Sequence, residues 1–469
     1  MLFEPYKINS MTLPNRIVLP AMVTRLSGED GFVNKEIHDR YIRFAKGEVG
    51  LIVVEAMAIH TAKSGPLLRL SDDKFIPGLR DLAKEIHEIS PSKVVPQIIH
   101  FLKVARSGWR QKIQDLSIAD IKGIIKNYGE AAYRSAECGF DGVELHMAHA
   151  YTVSSFLSRK NTRRDEYGGK SIENRMRLMC EVYEEVRRSV GKDFPVGVRF
   201  VGEEGIKGGY STEDSKIIAL KMAQLGFDYI SVSAGGKFED AVKKEGEPPY
   251  PYTGYSGDKC MPGSQYPDAY NIYLPEAIKK YINANGYNTP IVGAGKISKS
   301  STAEEILENG QADLIGMARA LLADPDLPKK IREGREDKVV ECIYWNICKG
   351  LDEAFKKVTC GLWPKGAVQA PESNDESIPE WETDGKLKAE IKKSAIHLKW
   401  ETATDDEEIM GYDVFRSENG LDFERIYAVK RPSYQDNTAF SGNSYSYFVR
   451  AYDLAGNKSV KSNVAEIRF

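Results

Sequence analysis

The sequence predicts an α/β chain in two parts, a (β/α)8 TIM barrel followed by a small all-β sandwich. Three observations carry that prediction. Eight short, β-branched apolar runs alternate with amphipathic helical stretches through residue 364. Polar or otherwise unusual residues gather at the C-terminal ends of those runs. Beyond Pro364 the pattern changes to period-two alternation punctuated by turn residues.

The runs are, in order, residues 16–22 (RIVLPAM), 50–55 (GLIVVE), 93–98 (KVVPQI), 142–146 (GVELH), 195–200 (PVGVRF), 228–233 (DYISVS), 290–295 (PIVGAG) and 313–317 (DLIGM). Most are apolar on both faces, as strands of a parallel sheet covered by helices must be. Residues 71–89, 117–138, 171–190, 211–225 and 301–309 carry the helical period between them. Several of these open on Ser or Asp at the N-cap position and close near Gly. Eight parallel strands close a barrel. An open doubly wound sheet is the alternative, but it needs a glycine-rich turn after the first strand. Ala21-Met22-Val23-Thr24-Arg25 stands there instead.

Residues 1–364 are therefore expected as the barrel. Residues 365–384 (KGAVQAPESNDESIPEWETD) are rich in Pro, Ser and acidic side chains and read as a solvated linker. Residues 385–469 alternate with period two at 396–400, 411–416, 444–452 and 462–467, with Asn419-Gly420 as a hairpin signal. That pattern predicts a small β-sandwich.

The 469 residues are 42% hydrophobic and 28% charged, with a formal charge of −3. This balance fits a globular chain with a large core. It offers no basic patch for nucleic acid or an anionic membrane surface. The apolar runs are too short to span a bilayer, and residues 1–7 lack an apolar signal core, so a cytoplasmic location is expected. Six cysteines in this length do not make a disulfide scaffold. Cys138, Cys180 and Cys260 are scattered and expected to be inert, whereas Cys342, Cys348 and Cys360 cluster.

The barrel's strand-end residues are Glu55 and Ala56, Gln97, His146 with His149, Arg199, Ser233, Gly295 and Arg319. Barrel enzymes build their sites at that mouth. His146-Met147-Ala148-His149-Ala150-Tyr151 places two of the chain's seven histidines three residues apart, with a tyrosine two further on. Paired imidazoles can donate two hydrogen bonds to one oxygen, and a nearby phenol can deliver a proton. The same spacing also allows a structural histidine pair or a metal site.

Residues 1–364 resemble the old yellow enzyme family of flavin-dependent ene-reductases. The resemblance runs from Leu2-Phe3-Glu4-Pro5 and Leu13-Pro14-Asn15-Arg16-Ile17-Val18 through His146, His149 and Tyr151 to Phe156-Leu157-Ser158. Its most specific piece is Asn161-Thr162-Arg163-Arg164-Asp165-Glu166-Tyr167-Gly168-Gly169, continuing to Glu173-Asn174-Arg175. The resemblance implies FMN in the barrel mouth. Ala21 and Met22 match backbone beside the flavin, Ala56 a contact to its carbonyl edge, and Gln97 the amide that reads the pyrimidine. Arg199 matches the cation near N1 and O2. Gly295, Ala318 and Arg319 match the phosphate site. His146 and His149 would hold the withdrawing group of an activated alkene, hydride would reach its β-carbon, and Tyr151 would protonate the α-carbon. NADH or NADPH would be the hydride donor. Val23 stands where many members carry Thr or Cys, so the side chain there cannot hydrogen-bond the flavin, and Ala318 replaces a glycine of some members.

Cys342, Cys348 and Cys360 resemble the iron–sulfur motif of a branch that includes 2,4-dienoyl-CoA reductase, enoate reductase and trimethylamine dehydrogenase. Trp345 stands at the second cysteine, and a cubane wants four thiolates, so no stoichiometric [4Fe–4S] cluster is expected. Where that branch continues into further cofactor domains, this chain meets a module resembling fibronectin type III. Trp400 matches its core tryptophan and Tyr445 its tyrosine corner.

The expected activity is reduction of an enone, enoate or enoyl thioester by an FMN-dependent NAD(P)H oxidoreductase. The rival readings are a flavin-dependent amine or acyl-CoA dehydrogenase or demethylase on the same fold, a non-catalytic binding protein, and a metal hydrolase using the two histidines. The expected partner is the small-molecule alkene. Protein or carbohydrate contact through the sandwich, and a homo-oligomer, stay open. Residues 235–273, rich in Tyr and Gly, are expected to shape the substrate pocket.

Overall fold

The computed structural model describes residues 1–62, 65–103, 111–235, 257–373 and 376–469. Most of the expected substrate-pocket segment, residues 236–256, lies outside these. The chain divides into two compact units. One holds residues 1–329 and 344–359, the other residues 330–343 and 360–469.

In the first unit a hairpin of β1 (Tyr6–Ile8) and β2 (Met11–Leu13) leads into eight parallel strands. These are β3 (Ile17–Leu19), β4 (Leu51–Ala58), β5 (Lys93–Ile99), β6 (Val143–Met147), β7 (Val196–Val201), β8 (Tyr229–Ser233), β9 (Ile291–Ala294) and β10 (Leu314–Gly316). They close as a barrel in the order β10-β3-β4-β5-β6-β7-β8-β9. All eight residues of β4 are buried, the two-sided burial that its unbroken apolar run calls for. Ile8, Met11 and Leu13 of the hairpin pack with Val18, Leu51, Val53, Val95, Val292 and Leu314. Apolar side chains thus fill the N-terminal end and leave the opposite mouth for chemistry.

Local signals set the helix boundaries. Ser117 accepts from the Asp120 N–H and donates its own N–H to the Asp120 carboxylate, a reciprocal cap opening helix Ile118–Glu137. Helix Thr212–Leu225 ends on Gly226, whose φ of +94° is left-handed. The first strand is shorter than its apolar run. Its ladder stops at Leu19 because Pro20 has no N–H to donate, so Pro20, Ala21, Met22 and Val23 leave the sheet and line the mouth.

The second unit holds two antiparallel sheets. One contains β11 (Lys388–Lys392), β12 (Ala395–Lys399) and β15 (Ser433–Asp436). The other contains β13 (Gly411–Ser417), β14 (Glu424–Val429), β16 (Ser444–Tyr452) and β17 (Ala465–Arg468). Ile396, Leu398, Trp400, Tyr412, Val414, Tyr447 and Val449 form the core between them. Residues 365–384 differ from the solvated linker expected of their composition. Trp381 is 8% exposed, stacks on Tyr412 with ring centroids 6.0 Å apart, and donates its Nε1–H to Val460 O at 2.9 Å. A large aromatic with a satisfied N–H outweighs its polar neighbours.

This unit also buries an ion pair. Arg425 Nε donates to Asp413 at 2.8 Å and Nη1 to Glu341 at 3.1 Å, and Asp413 is 2% exposed. Removing Arg425 takes both short contacts from the buried Asp413 carboxylate and leaves it only the Lys458 ammonium, 3.8 Å away. Arg425→Ala should therefore lower stability by about 3–5 kcal/mol. Urea denaturation followed by tryptophan fluorescence checks this. A loss below about 1 kcal/mol would put the pair with solvent-exposed ones.

Candidate active site

Strand β6 delivers His146 to the mouth, beside Arg199 of β7, its partner in the ladder. The chain then turns sharply. His149 and Ala150 both take left-handed backbone, at φ +56° and +61°. Non-glycine residues rarely adopt that conformation, and two in succession mark a turn enforced by its surroundings. The turn brings His149 back over His146, with ring centroids 5.3 Å apart at 88°. Tyr151, just before helix Thr152–Leu157, lies edge-on to His146 at 5.0 Å.

The two imidazoles are buried, 5% and 7% exposed. Burial holds both far below the usual imidazole range. The His149 and Arg199 charges add to this at His146, and the Arg199 charge at His149. Both rings are therefore neutral near pH 7. The Ala148 N–H donates to His146 Nδ1 at 3.1 Å, so the proton of the neutral ring sits on Nε2. His146 Nε2 makes no hydrogen bond to any described residue, and the ring lines the cavity. It is a donor awaiting an acceptor. His149 Nε2 instead lies 2.7 Å from Ser233 Oγ and 3.3 Å from Cys260 Sγ.

One cavity collects Ala21, Met22, Ala56, Gln97, His146, His149, Tyr151, Arg199, Gly295, Ala318 and Arg319. Gln97 Nε2 donates to the buried Glu144 carboxylate at 2.6 Å, and Tyr229 donates to the same group at 3.1 Å. Burial raises that carboxyl, opposed by Arg199 and by these two hydrogen bonds. Fixed in this way, Gln97 keeps its carbonyl oxygen without a partner among the described residues. Arg199 donates from Nη1 to Ala21 O at 3.2 Å, and its buried Nε has no partner among the described residues.

At the far end of the cavity Gly295 has φ +133°, and a Cβ there would meet Asn271 Cβ at 2.8 Å, so only glycine fits. Arg319 donates to Pro262 O at 2.7 Å and Asn346 Oδ1 at 2.6 Å, and its guanidinium lies 4.7 Å over the Tyr344 ring. Lys296 places a second cation 5.2 Å from the same ring.

These features fit FMN. An isoalloxazine offers an N3–H donor between two carbonyls, matching the open Gln97 acceptor and the orphaned Arg199 Nε. The glycine and two cations suit a phosphate. Cys348 lines the cavity, whereas Cys342 and Cys360 belong to the second unit. Among the described residues no group of three or more His, Cys, Asp or Glu side chains is placed to hold a metal ion.

Sequence reading missed Lys296, Tyr344, Lys349 and Asp352 as cavity residues, and it took Cys260 for an inert thiol within the segment expected to shape the pocket. Tyr344, Lys349 and Asp352 sit in and just after the cysteine motif, whose thiols dominate the local pattern. The sequence signal for Lys296 is its place directly after Gly295, a cation adjoining the glycine of the expected phosphate site.

The sequence model of the NADH:flavin oxidoreductase / NADH oxidase family matches residues 1–338. An NADH oxidase of Thermoanaerobacter brockii is 34% identical over 367 residues, covering 74% of this chain and 53% of that protein. A cinnamate reductase of Clostridium sporogenes is 29% identical over 405 residues, covering 78% and 57%. The chain thus spans about half the length of these relatives. Among solved structures, histamine dehydrogenase from Rhizobium sp. 4-9 superposes with a TM-score of 0.64 at 27% identity, covering 78% of this chain and 52% of that one.

Proposed function

The chain belongs to the NADH:flavin oxidoreductase / NADH oxidase family, and from that premise we propose that it is an FMN-dependent NAD(P)H oxidoreductase that reduces the C=C bond of an activated alkene. The observation that carries this reading is His146, a neutral imidazole with its Nε2–H unpartnered among the described residues and facing a cavity it shares with a phenol. That arrangement suits a carbonyl oxygen that gains negative charge as the adjacent alkene is reduced.

Gln97 and Arg199 would hold the pyrimidine edge of FMN, and Gly295, Ala318 and Arg319 its phosphate. Bound FMN supplies the hydride, replenished from NADH or NADPH. His146 donates to the substrate oxygen, and His149 adds a second donor when its Nε2 carries the proton. Tyr151 delivers a proton to the α-carbon. The Arg199 guanidinium offsets negative charge at the pyrimidine edge. Among enones, enoates and enoyl thioesters, the relative named cinnamate reductase supports an enoate. Anaerobic stopped-flow tests the reading. Flavin should bleach with NADH or NADPH and recover with enones, enoates or enoyl thioesters. Bleaching by an amine or a saturated acyl-CoA instead would establish a dehydrogenase.

We read the second unit as a fibronectin type III-like module that contacts protein or carbohydrate. Its three- and four-stranded sheets support this, as do the buried Trp400 and the Tyr445 hydroxyl that accepts from the Phe440 N–H at 2.8 Å. Among the described residues no helix is long and apolar enough to cross a membrane.

Iron content gives a further expectation. Three thiols leave one corner of a cubane without a ligand, and the Trp345 indole carries only an N–H. Anaerobically purified protein should carry FMN without stoichiometric iron and sulfide. About four irons per chain would overturn this.

A further inference from the structure

We propose that Cys260 is a covalent capture site for electrophilic alkenes, its thiol adding to the β-carbon of an α,β-unsaturated carbonyl held at His146. This rests on the reading that His146 holds a carbonyl.

The thiol is one member of a cluster. Cys260 Sγ lies 3.3 Å from His149 Nε2 and 3.9 Å from Ser233 Oγ, and it lines the cavity with His146 and Tyr151. Its position is fixed by its neighbour. Lys259 is 1% exposed, pairs with Glu203 at 3.1 Å, and accepts on its carbonyl from Asn271 Nδ2 at 2.7 Å. From the opposite side, the left-handed backbone of His149 brings the imidazole to the sulfur. A nucleophile within hydrogen-bond reach of a base is the arrangement that covalent chemistry requires.

A second observation points to the ligand. His146 is 5% exposed, and its Nε2–H faces the cavity without a partner among the described residues. The two rings divide the work. The Ala148 N–H fixes His146 as the donor that polarises a carbonyl. Among the described residues no backbone group fixes the proton on His149, so its Nε2 can accept one from the thiol. In the balanced step a C–S bond forms at the β-carbon, and the C=C electron pair becomes a C–H bond at the α-carbon. The S–H bond breaks and its proton passes to His149 Nε2, and the imidazolium so formed gives a proton to the α-carbon, which returns His149 to its neutral state. No oxidant or reductant takes part.

Capture uses the same β-carbon as reduction, so the two compete, and capture should prevail when the flavin stays oxidised. Two other thiols are poorer candidates. Burial pushes Cys138 up to about 12 and raises Cys180 as well, so both stay protonated.

The test uses oxidised holoenzyme without NAD(P)H, incubated with 2-cyclohexen-1-one and analysed by intact mass and peptide mapping. A single adduct at Cys260 is expected, absent in Cys260→Ser and Cys260→Ala, and suppressed by saturating cyclohexanone, which has the carbonyl but no alkene. His149→Ala should slow labelling by roughly 10²-fold or more, the loss of one general base. If the variants lose flavin, mapping and cyclohexanone protection of the unmodified sequence decide. Labelling spread over the other cysteines would overturn the proposal. So would an unlabelled Cys260 in enzyme whose reduced flavin the same alkene reoxidises, and that outcome would leave the ene-reductase reading standing. Protected labelling without reoxidation would keep the capture site and remove that reading.

Discussion

Tyr151→Phe should slow alkene-driven flavin reoxidation by roughly 10²–10⁴-fold, the range for loss of one general acid. The change removes a single oxygen. The ring that lies 5.0 Å from His146 remains, and so does the backbone that lets the Ser155 N–H donate to Tyr151 O at 2.8 Å. Binding and fold should therefore change little, and the loss should fall on the proton delivered to the α-carbon. Reduction of the flavin by NADH or NADPH needs no such proton and should proceed near its normal rate. Stopped-flow separation of the two half-reactions reads the difference directly. An unchanged oxidative half-reaction would take Tyr151 out of the role and leave water or another side chain as the donor. Equal slowing of both half-reactions would mean that the phenol shapes the cavity.

The residues of that mouth were legible for a physical reason. A parallel strand is apolar on both faces, so a Gln, His or Arg at its end stands out against the run. Gln97, His146 and Arg199 could be placed by that contrast alone. His149 and Tyr151 follow within five residues of His146, where local spacing still predicts proximity. Cys260 offered no such contrast. It meets His149 across 111 residues of chain, after a segment whose sequence shows no clear period. The same limit applies in the second unit. Strand β14 is half-buried along most of its length, and β15 is four residues long with Tyr434 flanked by Ser433, Gln435 and Asp436, so neither offers an apolar pattern to read. Glu341 reaches Arg425 across 84 residues, so no local pattern could have assigned residues 330–343 to that unit. Trp381 was hidden by its polar surroundings, although a lone large aromatic in an acidic stretch is itself a sign of burial.

The state of His146 leads to the last expected result. Its Nδ1 accepts the Ala148 N–H, so its Nε2–H is a permanent donor as long as the ring stays neutral. Burial, with the His149 and Arg199 charges, holds its pKa well below the usual value of 6.5. The ring therefore remains neutral across the range in which an ordinary histidine titrates. Alkene reduction by the wild type should then show no inflection near pH 6.5 from this residue. His146→Ala should lower the rate of flavin reoxidation by about 10²–10³-fold, as expected when one donor to a developing oxyanion is lost. His146→Gln restores an N–H donor on a flexible stem and should recover part of that loss, which a purely structural role would not predict. A wild-type rate that falls as pH rises through about 6.5, with the inflection abolished in His146→Gln, would show that the protonated imidazole is the active form. Hydrogen bonding to the substrate by a neutral ring would then have to be abandoned in favour of an imidazolium.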